Sequence, residues 1–148
     1  MPLCALPDQT VIDITGPDAE HFLHNLVTTN IVTLPESVVS ACALLSPQGK
    51  VLFDFLISKH DGDVYRLDIR RALCADFVKR LTLYKLRADV KITVQDQIVV
   101  GASWGSDSIG SDFDSCADRR FGNGGVYRLY GTGQLPDAAA GYAALRVA

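Results

Sequence analysis

The sequence contains no apolar run near the about 20 residues that a membrane-spanning helix requires, so nothing in it reads as a transmembrane segment. It also lacks any CxxC pair or short His–Cys spacing. Its 4 cysteines, Cys4, Cys42, Cys74 and Cys116, are scattered along the chain, whereas a self-contained zinc or iron–sulfur site needs closely spaced ligands. Scattered thiols are expected to be small buried hydrophobes in a reducing compartment. Neither sign of charge dominates: 14 Lys and Arg face 17 Asp and Glu, a net charge of −3. No polyelectrolyte signature therefore points to a nucleic-acid partner. The stretch Met1 to Asp8 lacks the basic region and long apolar segment of a signal peptide, and it is not rich in arginine as a transit peptide is. The expectation is cytosol, or an organelle matrix after processing.

The 148 residues are 48% hydrophobic and 21% charged, enough for one domain with a real core or one domain and part of another. Thr10 to Ile14 alternates as a short strand. Gly16-Pro17-Asp18 then opens a helix, with Ala19, Phe22, Leu23, Leu26 and Val27 on one apolar stripe. His21 and His24 sit three apart on it, but no third ligand is in view, and a rim position is expected. Ala41 to Leu45 and Val51 to Ser58 flank the turn Pro47-Gln48-Gly49 as an antiparallel pair. Val64 to Ile69 follows a second turn at residues 61–63. Strands joined by tight turns argue for an antiparallel meander and not a βαβ array. Leu73, Phe77, Leu81 and Tyr84 mark a second helix over residues 71–83, and Val90, Ile92 and Val94 a further strand. The basic residues Lys79, Arg80, Lys85, Arg87 and Lys91 read as a solvated face or as a surface for an anionic ligand or partner. The fold class expected is α+β: an antiparallel (Greek-key or meander) sheet with packed helices.

One residue stands out. On the strand from Val51 to Ser58, side chains alternate, so Val51, Phe53, Phe55 and Ile57 share one face and Leu52, Asp54, Leu56 and Ser58 the other. Both faces are mostly apolar, so both should be covered, and Asp54 would then be a buried acid between two leucines. A buried carboxylate costs several kcal/mol, roughly, unless it is paired, hydrogen-bonded or protonated. Two readings stay open: a core Asp that caps a loop or meets an arginine, and a ligand-facing acid with a raised pKa.

After Asp96 the composition changes. Ile98 to Trp104 reads as a strand, residues 105–125 as a long Gly-, Ser- and Asp-rich irregular segment, and Val126 to Tyr130 as a strand. The organisation expected is an antiparallel α+β domain over 1–95 and a reduced second module over 96–135. Residues 136–148 would start a helix that returns to the first domain.

Several motifs, in order, carry a resemblance: Ile14-Thr15-Gly16-Pro17-Asp18-Ala19 with Phe22-Leu23, Leu26-Val27-Thr28-Thr29-Asn30-Ile31, Pro47-Gln48-Gly49-Lys50 with Asp54, and Leu83-Tyr84-Lys85-Leu86-Arg87-Ala88-Asp89-Val90. The set is similar to the N-terminal part of the folate-binding YgfZ-type proteins, factors for iron–sulfur cluster assembly or repair and relatives of the glycine-cleavage aminomethyltransferase (T-protein). The resemblance implies an antiparallel domain packed against part of a ferredoxin-like module, with tetrahydrofolate in a central hole. It implies Asp54 as the acid facing the pterin, Leu67 as a pterin-lining residue and Arg146 as the arginine that meets the folate tail. It assigns no catalytic residue and no metal ligand.

The Lys-Gly-Cys-(Tyr/Phe)-x-Gly-Gln segment of the cluster-assembly branch does not occur here, so the chain is expected to be an N-terminal portion, truncated relative to such proteins. The function implied is a tetrahydrofolate-binding factor for assembly or repair of iron–sulfur clusters, indirectly supporting tRNA modification. Its partners would be a folate and iron–sulfur client or assembly proteins, with no direct nucleic acid and no membrane. Its place would be the bacterial cytoplasm, or the mitochondrial matrix in a eukaryote. The alternatives are a glycine-cleavage-type aminomethyltransferase, which would make it a folate-dependent one-carbon transferase, and a ligand-free interaction module or non-functional fragment. Phe53 replaces the first of the transferases' paired acids, which favours the assembly branch.

Overall fold

Alternating apolar residues build most of the chain into strands. In the computed structural model, which describes residues 3–61, 63–104, 113–122 and 125–135, β1 (Leu3–Ala5) and β2 (Gln9–Thr15) lead into helix α1 (Ala19–Leu26). β3 (Val38–Leu45), β4 (Val51–His60) and β5 (Val64–Arg70) form the expected meander, followed by a short 3-10 turn and α2 (Cys74–Lys85). β6 (Lys91–Val94), β7 (Val99–Trp104), β8 (Phe113–Asp118) and β9 (Val126–Gly131) complete the described elements. All nine strands join one sheet in the order β1-β7-β9-β8-β3-β4-β5-β2-β6. Its pairings are antiparallel except β3 against β8, which run parallel. The α+β class with a mainly antiparallel sheet therefore stands. The segment expected to be irregular is corrected by β8. Phe113-Asp114-Ser115-Cys116-Ala117-Asp118 has no alternating apolar pattern, but pairing with β9 and β3 supplies the hydrogen bonds that its sequence does not advertise.

Two glycines set the joints. Gly49 takes φ +87 in the Pro47-Gln48-Gly49 turn, and the Ser46 N–H bonds Lys50 O at 2.7 Å to close the hairpin. Gly16 takes φ +116, and a Cβ there would lie 2.5 Å from Asp89 O. This contact lets the start of α1 pack on the loop before β6. Asp18 does not cap α1 with its side chain; its carboxylate instead accepts the Asp89 N–H at 2.7 Å.

The sheet rolls on itself, which the side chains record. One face of β2 to β5 carries Ile12, Ile14, Cys42, Leu44, Phe55, Ile57, Tyr65, Leu67 and Ile69, packed under Phe22 and Leu23 of α1 and Phe77 and Leu81 of α2. Phe53 and Phe55 meet the Phe77 ring with centroids 5.1 and 4.8 Å away. Each such side chain, once buried, contributes about 1.5–3 kcal/mol. The opposite, inner face brings Val11, Val39 and Leu56 against Val100, Cys116 and Tyr130 of β7, β8 and β9. Strands far apart in the sheet thus face each other across an interior that also holds polar residues.

Candidate functional site

Asp54 lies where the alternation places it, on the face of β4 opposite Phe53 and Phe55, but it is not buried. The expectation of a dry carboxylate is corrected: the start of β4 extends past its cover, Val51 is 62% exposed, and Asp54 is exposed as well. Among the described residues Asp54 has no hydrogen-bond or ion-pair partner. The reading in which it caps a loop or meets an arginine therefore finds no support among them. It borders a solvent-open cleft of about 170 Å³ that is also lined by Gln9, Cys42, Asp68, Arg70, Arg120 and Arg128.

The buried acid of this cleft is a different one. Asp68, on β5, is 1% exposed and lies on the inner face because its neighbours Leu67 and Ile69 point to the helices. Its Oδ2 accepts from Arg128 Nε at 2.7 Å and from the Tyr130 hydroxyl at 2.8 Å. Its Oδ1 accepts from Gln9 Nε2 at 2.7 Å and from Arg128 Nη2 at 3.3 Å. The Arg fork meets the carboxylate twice, and two neutral donors complete its shell, the condition under which a buried ion pair is tolerated. Burial, and then the Asp68 charge, push the Tyr130 phenol well above its ordinary pKa, so it remains a donor.

The polar interior continues past Tyr130. Arg66 packs over its ring at 5.6 Å and forks onto Asp13 at 2.9 and 3.2 Å, while Gln95 adds a bond to Asp13 at 3.1 Å. His60 stands edge-on to the Tyr130 ring at 6.0 Å and shares a 2.8 Å hydrogen bond with Ser58. Burial and the Arg66 charge lower its pKa, so the neutral imidazole is favoured. Asp13, Arg66 and His60 border a second cleft, of about 480 Å³, at the other end of β5.

The remaining sequence-level candidates separate clearly. Leu67 is fully buried in the helix-side core and does not line the Asp54 cleft. Arg146 lies outside the described residues, as does the helix expected over 136–148. His21 bonds Asn25, and His24 accepts the Ile31 N–H, so each holds its own loop or helix turn. All four cysteines are free, with Cys4, Cys42 and Cys116 buried; burial raises the Cys116 thiol to about 11, so it stays protonated. Among the described residues no group of three or more His, Cys, Asp or Glu could hold a metal, and no helix is long and apolar enough to cross a membrane.

No protein-family model matches the chain. Curated relatives do. Over 105 residues the chain is 29% identical to the mitochondrial iron–sulfur cluster assembly factor IBA57 homolog of Pyricularia oryzae, a match that covers 68% of this chain and 27% of that protein. The homolog from Aspergillus oryzae is 30% identical over 115 residues, 67% of this chain and 26% of that protein. An aminomethyltransferase of Bordetella petrii is 33% identical over 63 residues, 41% of this chain and 17% of that protein. The chain is a relative of both groups. The resemblance drawn from its ordered motifs therefore holds. Aminomethyltransferase T of the Bartonella henselae glycine cleavage system superposes with a TM-score of 0.70 at 13% identity, over 98% of this chain and 44% of that one, and so shares the fold. The chain spans about a quarter of the length of the two assembly-factor relatives it matches.

Proposed function

We propose that this chain is the tetrahydrofolate-binding part of a factor for assembly or repair of iron–sulfur clusters, acting in the bacterial cytoplasm or mitochondrial matrix and supporting tRNA modification indirectly. The observation that carries the proposal is Asp54: a carboxylate without a partner among the described residues, at the edge of a cleft whose other acid is fully engaged. The cleft is smaller than the about 300–1,000 Å³ of a complete small-molecule pocket, a size suited to the ring end of a ligand. Asp54 would accept hydrogen bonds from ring N–H groups and favour positive charge on a nearby nitrogen. Bound tetrahydrofolate would supply the nitrogens that carry one-carbon units. Arg146 enters as a partner for the glutamate tail, while Leu67, on the helix side of β5, supports the strand and does not meet the ligand.

The alternative is an aminomethyltransferase, favoured by the Bordetella relative and the Bartonella fold. Calorimetric titration of tetrahydrofolate into the protein and into Asp54→Ala tests the proposal. Binding by the first and a loss of about tenfold or more in the second, the effect of removing about 1.4 kcal/mol of interaction, supports it. Absence of binding in both leaves a ligand-free interaction module or a non-functional fragment. Turnover with an aminomethyl-lipoyl carrier would select the transferase.

A further inference from the structure

The outer face of α2 breaks two rules of surface construction at neighbouring places. Phe77 and Leu81 commit one side of the helix to the core. Lys79 and Arg80, four and three residues before Leu83, share the other side with it, and Leu86 and Arg87 follow just past the helix end. Leu83 is 62% exposed and Leu86 86%, the most exposed of the large apolar residues described. Leu86 also ends the helix at φ 41, in the left-handed region where glycine is the unstrained choice. Neither exposure nor backbone conformation at Leu86 helps the fold, and such local violations mark functional positions.

The two leucines lie in a basic stretch. Residues 76–91 carry Lys79, Arg80, Lys85, Arg87 and Lys91 against the acids Asp76 and Asp89, in a chain whose total charge is −3. None of these five cations has an ion-pair partner among the described residues. Exposed apolar residues beside charged ones are the makings of a protein interface. A net basic surface selects an acidic partner and speeds its approach.

We infer that this corner docks an acidic protein segment whose apolar residues are flanked by Asp and Glu. A membrane surface fits less well, because two leucines without an exposed aromatic offer little area to insert. The inference does not rest on the folate reading, since α2 lends no residue to the Asp54 cleft.

The test uses a fluorescein-labelled acidic helical peptide, with leucines at i, i+3, i+4 and i+7 flanked by glutamates, read by anisotropy at low and at about 0.15 M salt. Wild type should bind, more weakly at the higher salt. Leu83→Ala with Leu86→Ala should lose about tenfold or more, as hot-spot truncation does. The triple change Lys79→Gln, Arg80→Gln, Arg87→Gln should weaken binding and remove most of the salt dependence. Leu86→Gly should bind more weakly while its unfolding midpoint rises, an outcome that a merely structural leucine would not give. No peptide binding by wild type, or full binding by the leucine variants, would overturn the inference. So would phosphatidylserine vesicles that capture wild type but not Leu86→Gly, or a dimer in sedimentation velocity that Leu86→Gly dissolves.

Discussion

Asp54 and Asp68 line one cleft from neighbouring strands, and the protein treats them oppositely. Asp68 is enclosed and accepts four hydrogen bonds, two of them from a guanidinium on a strand that the rolled sheet brings across the interior. Asp54 is exposed and accepts none from the described residues. The difference separates a carboxylate that holds the fold from one left available to a ligand. A buried acid is therefore no guide to function by itself; what its donors already satisfy decides what remains for chemistry.

The largest break in this comparison is Asp68→Ala. It leaves Arg128 buried without its carboxylate and should destabilise by about 3–5 kcal/mol, read as a lowered urea midpoint. Tyr130→Phe removes one donor to the same charge and should cost about 1.5–3 kcal/mol, visible in the same assay. A pH series sharpens the polar side further. His60 is lowered from 6.5 in the folded chain, so as pH falls below 6.5 the unfolded chain takes up a proton that the folded chain resists. Stability should decline from there until the folded pKa is passed, and His60→Gln should flatten that decline in unfolding midpoints. The smallest effect belongs to Asp54→Ala, whose stability should stay within about 0.5 kcal/mol of wild type, as for an exposed residue without contacts.

The sequence shows some of this contrast and hides the rest. Period-2 alternation puts Phe53, Phe55 and Ile57 on the helix side of β4 and Asp54 and Leu56 on the other, as found. Alternation does not tell where a strand outruns its cover, so Asp54 read as buried when it is exposed. Asp68, within Arg66-Leu67-Asp68-Ile69, carries no local signal that marks it. Its role depends on Arg128 and Tyr130, 60 and 62 residues away, and no local spacing reveals a pairing made by rolling the sheet. β8 is hidden for a related reason: its sequence does not alternate, and it is held by neighbours on both sides. The ordered motifs, by contrast, carry the relationship at the ends of elements and the turns between them as well as within them, and Gly16 and Gly49 do identifiable backbone work there.

The most direct measurement is the thermal unfolding midpoint of wild type and Asp54→Ala, each with and without saturating tetrahydrofolate. A ligand that binds only the folded state raises the midpoint. Equal midpoints without ligand, a rise for wild type and a clearly smaller rise for the variant are expected. A variant that melts well below wild type without ligand, or that gains the same rise with it, would contradict the claim that Asp54 is held for a ligand and not for the fold.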